Sequence, residues 1–307
     1  MINLSRFFTK TEYTVAYRFS ENGLLKNSKT PFKVLKLNNP NYWYADPFIC
    51  KYNDDFYVFM EVFQYDKGYA GIGYSKLING VLSEPKIVID TGYHMSFPMI
   101  VEYEGKLLMI PETCAVNKIQ VFECVDFPEK WIFSGCIADG DSFYDSVIFE
   151  YNGKHYLFTS TSTDDLYGST LFLSELRKNG EFQEAVELVN ISSDYKISRQ
   201  AGKMLLQDGI LFRVAQDCSN YDYGHALEFL KVTNMSVNNY AEEEYKEIKA
   251  NDLKTEGHTR GIAGIHTYNR VDNFEVVDFK LCTFSVKSTL LKAKIVLDIL
   301  KEKIAHK

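Results

Sequence analysis

Tyr42-Trp43-Tyr44-Ala45-Asp46-Pro47-Phe48-Ile49 runs through Cys50-Lys51-Tyr52-Asn53-Asp54-Asp55 into Phe56-Tyr57-Val58-Phe59-Met60-Glu61. Aromatic and β-branched residues fill both flanks, and Asn53-Asp54-Asp55 is the kind of sequence that a tight turn favours, because its central positions need positive φ. The stretch predicts a hairpin: a strand opened by Asp46, a turn, and a second strand closed by Glu61. Turns of the same kind recur at Glu104-Gly105-Lys106, Asn152-Gly153-Lys154, Asp208-Gly209 and Asp272-Asn273. Their intervals are roughly 50 to 65 residues, each turn flanked by apolar runs such as Pro98–Val101 and Leu107–Ile110.

A strand pair repeated at about 50 residues is the pattern of propeller blades, each of which needs about four strands. The predicted fold is therefore all-β: a five-bladed β-propeller over residues 1–287, with blade starts near 46, 97, 145, 201 and 265. A β-sandwich also has many short strands, but it does not repeat its sequence. Tyr13–Arg18 reads as a further strand, one that closes the array of blades. From 288 to 307 the pattern changes: Leu290, Leu291, Ile295, Ile299, Leu300 and Ile304 fall near helical spacing, with Lys292, Lys294, Lys301, Lys303 and Lys307 on a basic side. This amphipathic helix suits docking on the propeller or a protein partner, and its lysines also fit an anionic membrane surface.

Hydrophobic residues make up 46% of the 307, with 21 Tyr and 22 Phe, enough for a large core. A net charge of -7 argues against a nucleic-acid partner, which would need a clustered basic surface. The first residues lack the apolar run of a secretory signal and nothing approaches the length of a membrane span, so a cytoplasmic location is expected, with the helix allowing a peripheral place on the inner membrane face. The six cysteines have no C-x-x-C pair, and His258 and His266 stand eight apart without a cysteine partner; no metal site is expected and no cofactor is specified.

In a propeller the first strand of each blade lines the axis, so equivalent positions form a ring. Aligning the turns puts Asp46 and Asp145 in one ring, and Glu61 and Glu112 in a second with Ser160, Gln216 and Lys280. Carboxyls crowded in a pocket raise one another's pKa, which is how a pair becomes acid and base. The plainer alternative is that they tie blades together by bonding backbone amides.

An ordered set of motifs carries a resemblance. Trp43-Tyr44-Ala45-Asp46-Pro47-Phe48, His94-Met95-Ser96-Phe97-Pro98, Met109-Ile110-Pro111-Glu112, Asp145 with Phe149–Gly153, Arg199-Gln200-Ala201-Gly202, Ala215-Gln216-Asp217-Cys218, Tyr223-Gly224 and Gly264–Asn269 resemble the N-terminal domain of plant glucosamine inositolphosphorylceramide transferases and its bacterial relatives. That domain is similar in turn to the five-bladed propellers of glycoside hydrolase family 43. The resemblance implies carbohydrate chemistry, often in surface-glycan biosynthesis. It also implies a base at Asp46 and an orienting aspartate at Asp145, but the general acid of the fourth blade does not carry over, because that blade opens Ser198-Arg199-Gln200.

A glycosidase without its acid expels an alkoxide poorly, whereas a phosphate leaves unprotonated and needs positive charge. The reading from sequence is therefore glycosyl transfer from a phosphate-activated donor, a sugar nucleotide among them, onto a glycan or other acceptor. Glycoside hydrolysis and non-catalytic glycan binding remain the alternatives. The expected substrate contacts are Trp43, Tyr44, His94, Arg199, Lys203, Arg213, Gln216, Asp217, Tyr223, His258, Arg260 and His266, around Asp46, Asp145, Glu61 and Glu112.

Overall fold

All five turns close two-residue hairpins, with Tyr52 paired to Asp55, Tyr103 to Lys106, Tyr151 to Lys154, Gln207 to Ile210 and Val271 to Phe274. Asn53, Asp54, Glu104, Gly105, Asn152, Gly153, Asp208, Gly209 and Asp272 all have positive φ, the conformation for which the turn residues are suited. The computed structural model describes residues 8–293 apart from positions 37, 166, 180, 181, 220, 221, 258 and 291.

The hairpins seed five antiparallel sheets of four or five strands, arranged as a five-bladed propeller. Blade 1 is built from Tyr42–Tyr52, Asp55–Gln64 and Tyr69–Ile78, edged by Val81–Leu82 and Lys86–Ile89. Blade 2 is Ser96–Tyr103, Lys106–Glu112, Lys118–Asp126 and Lys130–Asp139. Blade 3 is Phe143–Tyr151, Lys154–Ser162 and Ser169–Asn179, edged by Phe182–Ala185 and Val189–Ser192. In blade 4 the first strand is split into Arg199–Gln200 and Leu205–Gln207, followed by Ile210–Asp217, Ala226–Asn234 and Ala241–Lys249.

Blade 5 joins the two ends of the chain. Ile262–Val271 and Phe274–Phe284 pair with Thr9–Phe19, which carries Lys33–Val34 on its outer side. The register runs from Thr9 opposite Phe284 to Phe19 opposite Phe274, so the first strand closes the ring. Arg18 lies opposite Glu275, and its Nε donates to Glu275 Oε2 at 2.6 Å with both side chains nearly removed from water. Glu275 also accepts from Leu24 N–H and from the Tyr268 hydroxyl.

The apolar side chains of neighbouring sheets interlock into interface clusters. Phe59, Ile72, Ile100 and Met109 fill the space between blades 1 and 2, and Val15, Tyr44, Val58 and Val276 that between blades 5 and 1. Residues 286–290 and 292–293 are helical, so the basic amphipathic segment begins as a helix; most of it lies outside the described residues.

The inner strands share a defect that shapes the axis. Their ladders slip between Ala45 and Phe48, Ser96 and Met99, Tyr144 and Val147, and Ile265 and Tyr268. Asp46, Phe97 and Asp145 occupy the first bulge position with φ of 49°, 46° and 48°. A bulge re-aims its side chain, and a left-handed non-glycine residue costs roughly 1–3 kcal/mol, so the surroundings must hold these residues in place. Turn alignment places Ile265 in this ring; the ladder slip puts His266 there instead, one residue further on.

Because Arg18 and Glu275 are buried together, removing one partner strands the other charge. Glu275→Ala is expected to lower stability by about 3–5 kcal/mol in urea unfolding, and the apolar double replacement Arg18→Met with Glu275→Leu by distinctly less.

Candidate functional site

The bulges face their polar groups to one mouth of the axis. Asp46 Oδ1 accepts from the Thr267 hydroxyl at 2.8 Å and its Oδ2 from Phe97 N–H at 3.2 Å, while Asp46 N–H donates to Asp278 Oδ2 at 2.8 Å. Asp278 Oδ1 accepts from the backbone N–H of Thr267 at 2.9 Å and lies 2.7 Å from His266 Nδ1. That contact places a proton on Nδ1 and turns His266 Nε2 toward Asp46 Oδ1, 3.7 Å away. Tyr13 stacks on the imidazole with ring centres 4.6 Å apart, and Tyr223 meets it edge-on at 5.4 Å. Gly224, at φ 62°, lets that loop close in: a Cβ there would lie 2.7 Å from His266 Cβ.

On the other side of the mouth, Asp145 Oδ2 accepts from Arg199 Nε at 2.6 Å and from Gln216 Nε2 at 3.2 Å. Asp145 N–H donates to Glu112 Oε2 at 3.2 Å, and an outer nitrogen of Arg199 lies 3.7 Å from the same oxygen. The guanidinium sits between the rings of Tyr144 and Tyr223, 4.9 and 5.1 Å from their centres. Glu61 Oε1 faces His94 Nε2 at 3.6 Å; His94 Nδ1 accepts from Ala70 N–H, so its proton is on the nitrogen that faces Glu61.

The electrostatics follow from burial. Asp46 is pushed up to about 6, chiefly by burial and further by Asp278 and Asp145, against the opposing pull of His266 and the Thr267 hydrogen bond. Glu112 is pushed up to about 8 by burial and Asp145, with Arg199 pulling it down. Burial also lifts Glu61 well above the carboxylate range, helped by Asp46, Glu112 and Asp278. For His266, burial favours the neutral ring, but the charge and hydrogen bond of Asp278 outweigh it and raise its pKa. Near neutral pH the mouth therefore holds an ionised Asp46 together with a Glu112 that keeps its proton.

Asp46, His266 and Asp278 each bring one ligand atom within 4.8 Å of the others, a donor set suited to a divalent cation. Asp217, Glu228 and Glu247 form a second group on blade 4, where Lys196 Nζ lies 3.2 Å from Glu228.

The sequence-derived residues separate into groups. Asp46, Glu61, Glu112, Asp145, His94, Arg199, Gln216, Tyr223 and His266 meet at the mouth, and Trp43 stacks on Phe63 and tilts against Tyr13 at its edge. Arg213 does not belong there: it is wholly buried within blade 4, bonded to Glu242, Gln200 and Ile197 O, because its strand position points between sheets. Tyr44 likewise packs in the cluster between blades 5 and 1. Asp217 belongs to the blade 4 carboxylate group, with Oδ1 on Ser219 N–H. Lys203 lies in the break of the blade 4 strand, its N–H on Asn269 and its pKa pulled to about 8 by burial. Arg260 is exposed in the turn before Ile262–Val271, and His258 lies outside the described residues.

Asp278, Thr267, Tyr13 and Tyr144 complete the mouth and were missed from sequence. Asp278 left one trace, an acid within the apolar run Val276-Val277-Asp278-Phe279. Tyr13 left none, since it reaches His266 through ring closure.

Fold and mouth together define a five-bladed propeller with a cluster of buried acids at one end of its axis. Solved structures share that fold, among them the catalytic domain of the GH62 α-L-arabinofuranosidase of Coprinopsis cinerea, with a TM-score of 0.58 at 13% identity over 87% of this chain and 98% of that one. A Bacillus subtilis arabinanase gives 0.53 at 13% identity, over 77% and 93%. At these identities the likeness is one of fold. A sequence model described as glucosamine inositolphosphorylceramide transferase 1, N-terminal, matches residues 28–277, and the chain belongs to this family. The glucosamine inositolphosphorylceramide transferase 1 of Arabidopsis thaliana is 28% identical over 225 residues, covering 68% of this chain and 27% of its own length. That of Oryza sativa subsp. indica is 27% identical over 218 residues, covering 69% and 28%. The chain thus spans about a quarter of the length of the curated relatives it matches.

The raised carboxyls fix a sign for stability. The folded protein holds the Asp46 and Glu112 protons more tightly than the unfolded chain does, so this contribution is full below the unfolded values and is lost as pH rises through about 6 and about 8. Glu112→Gln, which keeps the shape and removes the charge, should be more stable than the parent by about 1–3 kcal/mol at alkaline pH and little changed at acid pH. Urea titrations on either side of the window read the difference.

Proposed function

We propose that this chain is a carbohydrate-active unit of surface-glycan assembly, in which Asp46 takes a proton from an acceptor hydroxyl while a phosphate-activated glycosyl donor lies against Arg199. The observation that carries this reading is the makeup of the fourth blade, which brings Arg199 to the mouth, hydrogen-bonded to Asp145 and held between two tyrosine rings, where a glycoside-cleaving propeller would bring an acid. A departing phosphate needs positive charge and no proton, so an arginine serves it where an acid would not. Asp46 suits the base: with its pKa near 6 it is ionised at neutral pH, and Thr267 and Phe97 N–H fix its direction. Tyr13, Trp43 and Tyr223 supply flat apolar faces for sugar rings. The relatives' name points to glucosamine and inositolphosphorylceramide as the first donor and acceptor to try.

Hydrolysis is the second reading, favoured by Glu61. Its carboxyl is buried, raised well above the usual carboxylate range by that burial and by Asp46, and oriented toward His94, which suits it to donate a proton at the mouth.

One set of assays separates the readings. Sugar nucleotides with acceptor lipid are expected to give product whose formation rises through about pH 6 and falls about 10²–10⁴-fold in Asp46→Asn, with Glu61→Gln still active. Release of reducing sugar from oligosaccharides, abolished by Glu61→Gln, would replace transfer by hydrolysis. Glycan binding without either turnover, surviving Asp46→Asn, would overturn both and leave a binding module.

A further inference from the structure

We propose that the exposed apolar surface where the two ends of the chain meet is a docking face for an anionic membrane, set on the same closing sheet as Tyr13 and His266. Thr9 pairs with Phe284, and Ser285 N–H donates to Phe8 O, so the last strand and the start of the C-terminal helix lie against the first strand. Ser288 Oγ and Lys292 Nζ both donate to Thr9 O and pin one flank of the helix. Val286 and Leu290 stand one turn apart and so share a side of the helix. With Phe284 they are 60%, 66% and 73% exposed, and Phe8 beside them is 43% exposed. Large apolar side chains gathered in the open on a well-packed protein mark an interaction surface.

Charge selects the occupant. Phe284 to Ala293 hold Lys287 and Lys292 and no acid in a chain of net charge -7, so the described part of this face is positive while the molecule as a whole is negative. Exposed Lys287 lies within the apolar group itself. An anionic bilayer attracts such an end and repels the remainder, which both binds and orients the propeller. A second copy would bring lysine against lysine.

The position of this face adds a consequence. A side cavity of about 490 Å³ has Tyr13 and Tyr223, the two rings that flank His266, at one end and Thr9, Cys282 and Lys292 at the other. A propeller seated on lipid by Phe284, Val286 and Leu290 therefore opens this cavity at the membrane, and a lipid headgroup entering there moves toward Asp46. That last step rests on the proposed glycosyl chemistry; the docking itself does not.

The test is sedimentation of the full chain with vesicles, using phosphatidylcholine alone and phosphatidylcholine mixed with phosphatidylserine. Binding is expected with the mixed vesicles only and to weaken with salt. The double substitution Phe284→Ser with Leu290→Ser, and separately Lys287→Glu, should each weaken it about fivefold or more, with unchanged thermal unfolding because all three residues are exposed. Equal binding to both vesicle types, no binding by the intact chain, or variants that bind like the parent would overturn the proposal. So would a concentration-dependent dimer lost in Leu290→Ser, which would make this a face between copies. Turnover on a water-soluble acceptor, measured in parallel, is unaffected by loss of docking, so failure of either idea is visible without the other.

Discussion

The structure depends on a closed ring of hydrogen bonds that passes from blade to blade around the axis. Asp278 of blade 5 holds the Asp46 amide of blade 1, Asp46 holds the Phe97 amide of blade 2, and Glu112 of blade 2 holds the Asp145 amide of blade 3. Asp145 then binds Arg199 and Gln216 of blade 4, and Ala201 O of blade 4 accepts from Tyr268 N–H of blade 5. Three of the amides so held belong to bulge residues with positive φ, a conformation that costs energy for any side chain but glycine. A hydrogen bond to a charged acceptor contributes about 1.5–3 kcal/mol and one to a neutral acceptor about 0.5–1.5 kcal/mol, enough together to offset that strain.

The same carboxylates are therefore architecture and chemistry together. A carboxyl that only joined blades would gain from full ionisation, yet burial and mutual repulsion hold Asp46, Glu61 and Glu112 above the ordinary range. Glu61 stands apart in that its described contact at the mouth is with an imidazole, His94, while Asp46 and Glu112 each bond a backbone amide. Arg199 is central because it faces Asp145 and Glu112 at once, and its charge limits how far Glu112 rises.

Closure by the first strand has effects beyond holding the ring shut. Through the pairing of Thr9–Phe19 with Phe274–Phe284, Tyr13 reaches His266, Arg18 reaches Glu275, and Thr9 reaches the first turn of the terminal helix. Stability, the cover over His266 and the exposed apolar surface at the joined ends thus share one sheet.

The sequence by itself determined the five hairpins and their order, because turn chemistry and alternation of apolar residues are local properties legible at Asn53-Asp54, Glu104-Gly105, Asn152-Gly153, Asp208-Gly209 and Asp272-Asn273. It also determined that Asp46, Glu61, Glu112 and Asp145 face one another, since a constant offset from a repeated turn is a constant height in a propeller. It misjudged Arg213 and Tyr44, whose strand positions point between sheets, and it was one residue off at Ile265, because a bulge shifts the side-chain alternation and leaves no mark in composition. Only the tertiary structure decided that Asp278 grips His266, that Tyr13 covers it and that Arg199 lies on Asp145. Those contacts join residues as many as 253 positions apart, brought together when the ring closes on its own first strand, and no local pattern encodes which distant strand completes a sheet.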